Sequence, residues 1–297
     1  MKILLLGADG QLGYELHRAC APLGEIHPFT YSGKLAGRQA CGQVDFEKPG
    51  VLDALVREYK PAMVLNAVAH TAVDRAEDEP AIAQRVNADA VGELALACKR
   101  EDAMLVHYST DYVFDGRLRR PIREDDATGP VSVYGATKLA GEYLALAANP
   151  KTLVIRTCGL YGVHGTGGKG GNFVETMLRL AGQGKPLKVV DDQYCTPTAT
   201  ADLADATVKL LATGATGLFH ITNAGATTWF QLAAEIFRQS QLNIDLTPIT
   251  SAEFNAVARR PSYSVLDCKK VAMAGIRIRE WPEAIGQYLS DRKSRKA

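Results

Sequence analysis

A chain of 297 residues, 46% hydrophobic and 23% charged, has the composition of a globular protein long enough to bury one large core or two of moderate size. A net charge of +1 argues against the electrostatic footprint of a nucleic-acid binder, and the one basic run, Arg292, Lys293, Arg295 and Lys296, reads as a solvated terminal tail. Six cysteines, Cys20, Cys41, Cys98, Cys158, Cys195 and Cys268, lie far apart with no C-x-x-C pair or metal-ligand spacing, so they read as reduced, mostly buried thiols of a cytoplasmic protein.

In chain order, KILLL at 2–6 is too short for a signal-peptide core, and no later apolar run could span a bilayer, so no membrane partner is expected. KILLL reads instead as a strand buried on both faces, as do AMVLNA at 62–67, AMLVHYS at 103–109 and TLVIRT at 152–157. Between them QLGYELHRACA, VLDALVREY, AIAQRVNADAVGELALACKRE and KLAGEYLALAA carry helical periodicity. This alternation predicts an α/β fold, a Rossmann-like doubly wound parallel sheet. After about residue 158 the pattern loosens into a glycine-rich stretch at 162–171, an amphipathic NFVETMLRLAGQG, a helix-and-strand unit over 203–212 and 218–222, a helix TWFQLAAEIFRQS and a loop-rich end. The expected organisation is a dinucleotide-binding lobe over 1–157, to which 198–222 return. A smaller, mostly C-terminal α/β substrate lobe covers 158–297.

GADGQLG follows the first strand, with Gly7, Gly10 and Gly13 in a G-x-x-G-x-x-G pattern. A strand-to-helix turn built this way brings a pyrophosphate to main-chain N–H groups at a helix N-terminus, and the context favours cofactor binding over a plain tight turn. The acidic residue that normally holds the adenosine ribose is missing from EIHPFTYSGK, where Tyr31, Ser32 and Lys34 stand instead. No carboxylate would repel a 2′-phosphate and Lys34 could neutralise one, which selects NADPH, with NADH as the alternative. Asp45 sits where such folds meet the adenine, and a capping aspartate is an equal reading.

Tyr134 and Lys138 in VYGATKLAGE are four apart and share a helix face. A phenol of pKa about 10 donates a proton at neutral pH, and a nearby ammonium is expected to lower that value. The strand AMLVHYS runs into STDYVFDG, which puts Thr110 at a strand's C-terminal rim, where doubly wound folds place their ligands. Hydroxyl, phenol and ammonium beside a nicotinamide make a site for carbonyl reduction.

With GADGQLGYEL, NAVAHTAVDRAE, HYSTDYVFDG, VYGATKLAGE, NFVETMLRLA, DDQYCTPT and RRPSYSVLD, the chain resembles the dTDP-4-dehydrorhamnose reductases, within the extended short-chain dehydrogenases, along nearly its whole length. The resemblance implies reduction of the 4-keto group of dTDP-6-deoxy-L-lyxo-4-hexulose to dTDP-L-rhamnose by NAD(P)H. It implies the triad Thr110, Tyr134 and Lys138. Cofactor contacts are implied for Gly10, Gln11, Leu12, Asp45, Ala67, Ala69, His70 and Lys138, with Gly7 in the same turn. Asp111 is implied near the sugar, with Asn172 and Arg260 near the nucleotide diphosphate. His70 and Asp74 have an equally weighted reading as loop-ordering residues, and Asp111 one as a loop cap.

Three departures stand out. The family's R-T-S-W is RTCG here, so Cys158 and Gly159 remove a tryptophan wall, and the loop 162–171 could fold over the vacancy. Cys195 replaces a frequent glycine. Some relatives dimerise around Mg²⁺; Glu15 is retained, but Ala201 stands where a second carboxylate belongs, with Asp202 beside it, so no metal site is expected and a homodimer stays open. The competing functions are an epimerase or dehydratase acting on another nucleotide sugar, and a non-catalytic NADP-binding subunit resembling the methionine adenosyltransferase β subunit. An intact triad favours an enzyme, and the lack of a second acid after Thr110-Asp111 disfavours dehydration.

Overall fold

The first strand, β1 (Lys2–Leu6), is apolar from Ile3 to Leu6, and each of those side chains is fully buried. Neighbours on a strand point to opposite faces, so Ile3 and Leu5 enter one core while Leu4 and Leu6 enter another. Both faces of the sheet must therefore be covered. The computed structural model, which describes residues 1–35, 39–164 and 171–296, shows how.

After β1 come α1 (Gln11–Cys20), β2 (Glu25–Thr30), β3 (Gly42–Gln43), α2 (Val51–Tyr59) and β4 (Met63–Asn66). Then follow α3 (Val73–Asp78), α4 (Pro80–Gln84), a π-helical turn over Arg85–Asp89, α5 (Ala90–Arg100), β5 (Met104–Thr110), α6 (Val133–Ala148) and β6 (Thr152–Thr157). These strands and a late one, Gly217–His220, form a seven-stranded sheet ordered Gly217–His220, β6, β5, β4, β1, β2, β3. Every pairing in it is parallel. The chain runs outward from β1 through β2 and β3, then crosses to β4 and runs outward the other way. That reversal opens a crevice beyond the C-terminal ends of β1 and β4, the usual ligand position in such sheets.

Leu12, Leu16 and Cys20 of α1 join Leu203 and Leu210 of the helix Thr200–Ala212 on one face. Leu52 and Val56 of α2 join Val91, Leu94 and Cys98 of α5 on the other. Each fully buried aliphatic side chain contributes about 1.5–3 kcal/mol. Between α6 and β6 lies a buried ion pair, Glu142 with Arg156, its closest contact 2.7 Å.

The C-terminal region builds a third core from Tyr161, Val174, Met177, Leu232, Ile236, Ile285 and Leu289. Its strands come in pairs: Leu160–Tyr161 with Thr198–Ala199, Tyr194–Cys195 with Thr227–Thr228, and Leu187–Val190 with Leu246–Ile249. Helices Phe173–Ala181 and Trp229–Gln239 occupy the segments expected for them.

The chain's end corrects the sequence reading. It is a helix, Trp281–Lys296, not a loop-rich tail. Ala284, Ile285, Tyr288 and Leu289 are buried on one stripe of it. Arg292 is no solvated charge either, because its Nε donates to Glu175 Oε1 at 2.5 Å and its Nη2 to Oε2 at 2.9 Å. All six cysteines are free thiols. No helix among the described residues is long and apolar enough to cross a membrane.

Candidate active site

The glycine turn closes the crevice at β1. Gly7 has φ +79°, a left-handed conformation natural to glycine, and a Cβ there would lie 3.1 Å from the Ala67 carbonyl oxygen. A Cβ on Gly13 would overlap the Gly7 carbonyl oxygen, so only glycine lets α1 start this close to the strand. No side chain caps α1 at Gly10, and its first turn carries no acidic residue. The positive end of the helix at Gly10, Gln11 and Leu12 thus faces the crevice. These residues fit a dinucleotide pyrophosphate: glycines that let it approach, backbone donors and no acidic residue in the first helical turn.

At the end of β2 the chain turns through Tyr31, Ser32 and Lys34, all exposed. The Thr30 hydroxyl accepts the Lys34 N–H at 3.0 Å, which holds this turn beside the sheet edge. Asp45 lies just past β3, where its carboxylate accepts the Glu47 N–H at 3.0 Å and so caps a turn. Past β4, Ala67, Ala69 and His70 line the crevice's second lip. Asn87 of the π-helical turn clamps the His70 peptide, accepting from its N–H at 2.8 Å and donating to its carbonyl at 3.1 Å. The sequence reading missed Asn87, although a polar residue in an apolar helical stretch was a usable signal.

The triad residues converge at the next strand. Thr110 ends β5, and Tyr134 and Lys138 occupy successive turns of α6, whose N-terminus is capped by Ser132 accepting the Gly135 N–H. The Thr110 hydroxyl accepts the Tyr112 N–H at 3.2 Å and donates to Asp111 Oδ1 at 3.1 Å, and it lies within reach of the Tyr134 phenol. Burial pushes the phenol up to about 12, with the Thr110 bond opposing and the Asp111 charge adding to it. The expectation that Lys138 lowers this value is corrected. Lys138 Nζ turns into the protein and donates to the Tyr108 carbonyl at 2.6 Å, so burial governs the tyrosine. Lys138 itself is brought down to about 8 by burial, against the pull of Glu142.

Asp111 is buried beneath the site. It accepts from Ser264 Oγ at 2.5 Å and from Cys158 Sγ at 3.1 Å, so it anchors the C-terminal region rather than capping its own loop. Burial raises its pKa while these bonds oppose. Cys158 also hydrogen-bonds Cys195, and that contact with burial pushes the Cys158 thiol well up. Two of the family departures therefore touch each other.

Gly159, which belongs to the same departure as Cys158, is bordered by a residue that sequence reasoning did not single out. Gly159 has φ +53°, and a Cβ there would lie 3.3 Å from Pro197 Cα and 3.5 Å from the indole tip of Trp229. Trp229, half-buried and packed on Phe173 with ring centroids 4.8 Å apart, stands where the wall was thought lost. The loop once considered for that place lies largely in residues 165–170, outside the described residues.

The remaining candidates hold the two regions together. Arg260 donates to both oxygens of Asp74, at 3.0 and 2.9 Å, and Asp74 accepts the Ala258 N–H at 3.0 Å. Asn172 caps its helix by accepting the Glu175 N–H, and its amide donates to Gln11 Oε1 at 2.8 Å. Gln11 Oε1 also accepts the Gly162 N–H at 2.8 Å, which places Gln11 and Asn172 at one seam. Glu15 accepts from Arg18, and Asp202 from Arg279 and Asn223.

Residues 1–294 match the family described as RmlD substrate binding domain. A dTDP-4-dehydrorhamnose reductase of Salmonella typhimurium is 42% identical over 281 residues, spanning 91% of this chain and 90% of that protein. The crystal structure of a dTDP-4-dehydrorhamnose reductase from Clostridium acetobutylicum has a TM-score of 0.89 at 39% identity, covering 98% of this chain and 99% of that one. Another, from Bacillus anthracis in complex with NADP, has a TM-score of 0.88 at 32% identity with the same coverage.

Proposed function

Because the chain belongs to the dTDP-4-dehydrorhamnose reductase family, we propose that it reduces the 4-keto group of a dTDP-linked 6-deoxyhexulose to dTDP-L-rhamnose with NADPH, in nucleotide-sugar biosynthesis for cell-surface polysaccharide. The observation that carries this reading is the Tyr134 phenol beside Thr110 on the crevice rim, one helical turn from Lys138.

When bound, NADPH supplies the hydride. Tyr134 is neutral at physiological pH, so it holds the proton that the developing alkoxide needs. Thr110 stands beside the phenol, and its hydroxyl, which donates to Asp111 in the free protein, would turn to the carbonyl oxygen. Lys138 serves the ribose hydroxyls with the donors that Tyr108 leaves over. Gly7, Gly10, Gln11 and Leu12 receive the pyrophosphate, Ala67, Ala69 and His70 form the opposite lip, and Asp45 lies on the adenine side. Asp111 sits under the sugar, Trp229 walls it, and Arg260 and Asn172 lie toward the diphosphate.

The same reading assigns cofactor binding to 1–157 with 198–222, supported by the strand Gly217–His220 pairing with β6, and substrate binding mainly to 158–297. A cytoplasmic location, supported by six free thiols, belongs to it too, as does a homodimer of the family's kind. Spectrophotometry with the dTDP-ketosugar tests it. One NADPH should be oxidised per ketosugar consumed. Turnover without net oxidation would mean an epimerase, and tight NADPH binding without turnover would mean a scaffold subunit.

A further inference from the structure

Lys138 ends in a corner with one fixed acceptor, the Tyr108 carbonyl at 2.6 Å, and one partner whose role depends on its tautomer, His107. Lys138 Nζ lies 3.3 Å from His107 Nε2, and the two residues are 1% and 0% exposed. The other imidazole nitrogen, Nδ1, is 3.1 Å from Asn66 Nδ2, and Asn66 Oδ1 accepts the Val68 N–H at 3.1 Å. A backbone N–H can only donate, so Val68 fixes the amide with its oxygen toward the turn and its NH₂ toward the imidazole. His107 Nδ1 is then an acceptor, and a neutral imidazole carries its proton on Nε2, aimed at Lys138.

An uncharged amine has a lone pair to receive that proton. An ammonium has three donors and no acceptor. With Lys138 charged, the row Val68, Asn66, His107, Lys138 has a donor at each end and two bridging groups that each offer one donor and one acceptor. The hydrogen bonds cannot all point the same way. One of them must be lost, in a buried site where an unmade bond is costly.

We infer that Asn66 and His107 are positioning residues that tie the protonation of Lys138 to the Val68 turn in the cofactor lip, so that binding the cofactor draws a proton onto Lys138. Ribose oxygens and the pyrophosphate charge provide what the imidazole does not, acceptors and a negative field that favour the ammonium. The inference rests on the reading of Lys138 as a ribose-binding residue. The charged groups facing Lys138 are few. His107 comes from β5, and Glu142 lies one turn on along α6, already bound by Arg156 of β6. Burial and the nearby lysine hold His107 well below its ordinary value, so the imidazole stays neutral and the lysine is the group that titrates. With Lys138 at about 8 in the free protein, it is about half protonated at pH 8.

Calorimetric titration of NADPH into the intact protein at pH 8, in two buffers of different ionisation enthalpy, counts the protons. Uptake of about half a proton per NADPH is expected, falling to about a tenth at pH 7, where Lys138 is already mostly charged and the 2′-phosphate still mostly ionised, and lost in Lys138→Met. The 2′-phosphate, with a pKa of about 6, is already ionised at pH 8. In Asn66→Asp a carboxylate accepts from both Val68 N–H and His107 Nδ1–H, which leaves Nε2 free to accept from the ammonium. That variant should bind NADPH with uptake near zero at pH 8, whereas a merely structural role for Asn66 would leave the proton count unchanged. Tight binding without uptake in the wild type, or unchanged uptake in Lys138→Met or in Asn66→Asp, overturns the inference and leaves the reductase reading intact. Absence of NADPH binding would sink both. The wild-type and Lys138→Met measurements decide the matter should Asn66→Asp fail to fold.

Discussion

The seven-stranded sheet and the C-terminal region solve the same problem in different ways. In the sheet, each strand's partners come from a repeated pattern, and the reactive groups stand at positions that pattern fixes: Thr110 at a strand end, Tyr134 and Lys138 on successive turns of one helix. In the C-terminal region, two-residue strands pair across long stretches of chain, and the site wall meets there as Gly159, Pro197 and Trp229. A loss in one segment can therefore be covered by a side chain from a distant one.

This contrast predicts that sheet-side changes alter rate or stability while wall changes alter substrate affinity. The largest effect is expected for Tyr134→Phe, which removes only the proton donor. Single-turnover NADPH absorbance should slow by about 10²–10⁴-fold, while NADPH affinity measured by fluorescence stays within about twofold. Next, Glu142→Ala leaves the Arg156 charge buried without its partner and should cost about 3–5 kcal/mol in urea denaturation. A loss below about 1 kcal/mol would mean that the pair is not buried in solution.

Smaller still, Trp229→Ala should raise KM for the dTDP-ketosugar about tenfold with kcat changed less, the effect of losing an apolar wall. Only two tryptophans are present, so Trp281→Phe leaves Trp229 as the sole indole reporter, and its emission should change on substrate binding. An unmoved spectrum and an unmoved KM together would take Trp229 out of the site. The smallest effect belongs to Lys34→Ala, which should raise KM for NADPH about threefold and leave KM for NADH alone, because the exposed lysine acts on the 2′-phosphate through a solvent-screened contact. Equal changes for both cofactors would remove Lys34 from the selectivity.

Much of the sheet could be read in advance because a strand covered on both faces needs an apolar run, as Ile3 to Leu6 and Leu153 to Ile155 supply. The placing of Thr110, Tyr134 and Lys138 was legible for a similar local reason, a four-residue spacing on one helix placed after a polar strand end. Contacts across the chain were not. Nothing near Gly159 announces Trp229, and nothing near Lys138 announces that His107 and Asn66 from two neighbouring strands will meet it. The phenol's pKa moved against the expected direction because the lysine's Nζ is turned to Tyr108 and His107, leaving burial as the larger influence. The last helix was overlooked because its closing turns are charged, which hid the apolar stripe from Trp281 to Leu289.

The most direct test of the central claim follows the hydride itself. With NADPH carrying deuterium at both C4 positions and an excess of dTDP-ketosugar, mass spectrometry of the sugar nucleotide should show one deuterium gained per NADPH consumed, fixed at the carbon that was the ketone. Product without deuterium, or sugar converted while the reduced cofactor is unchanged, would contradict the account.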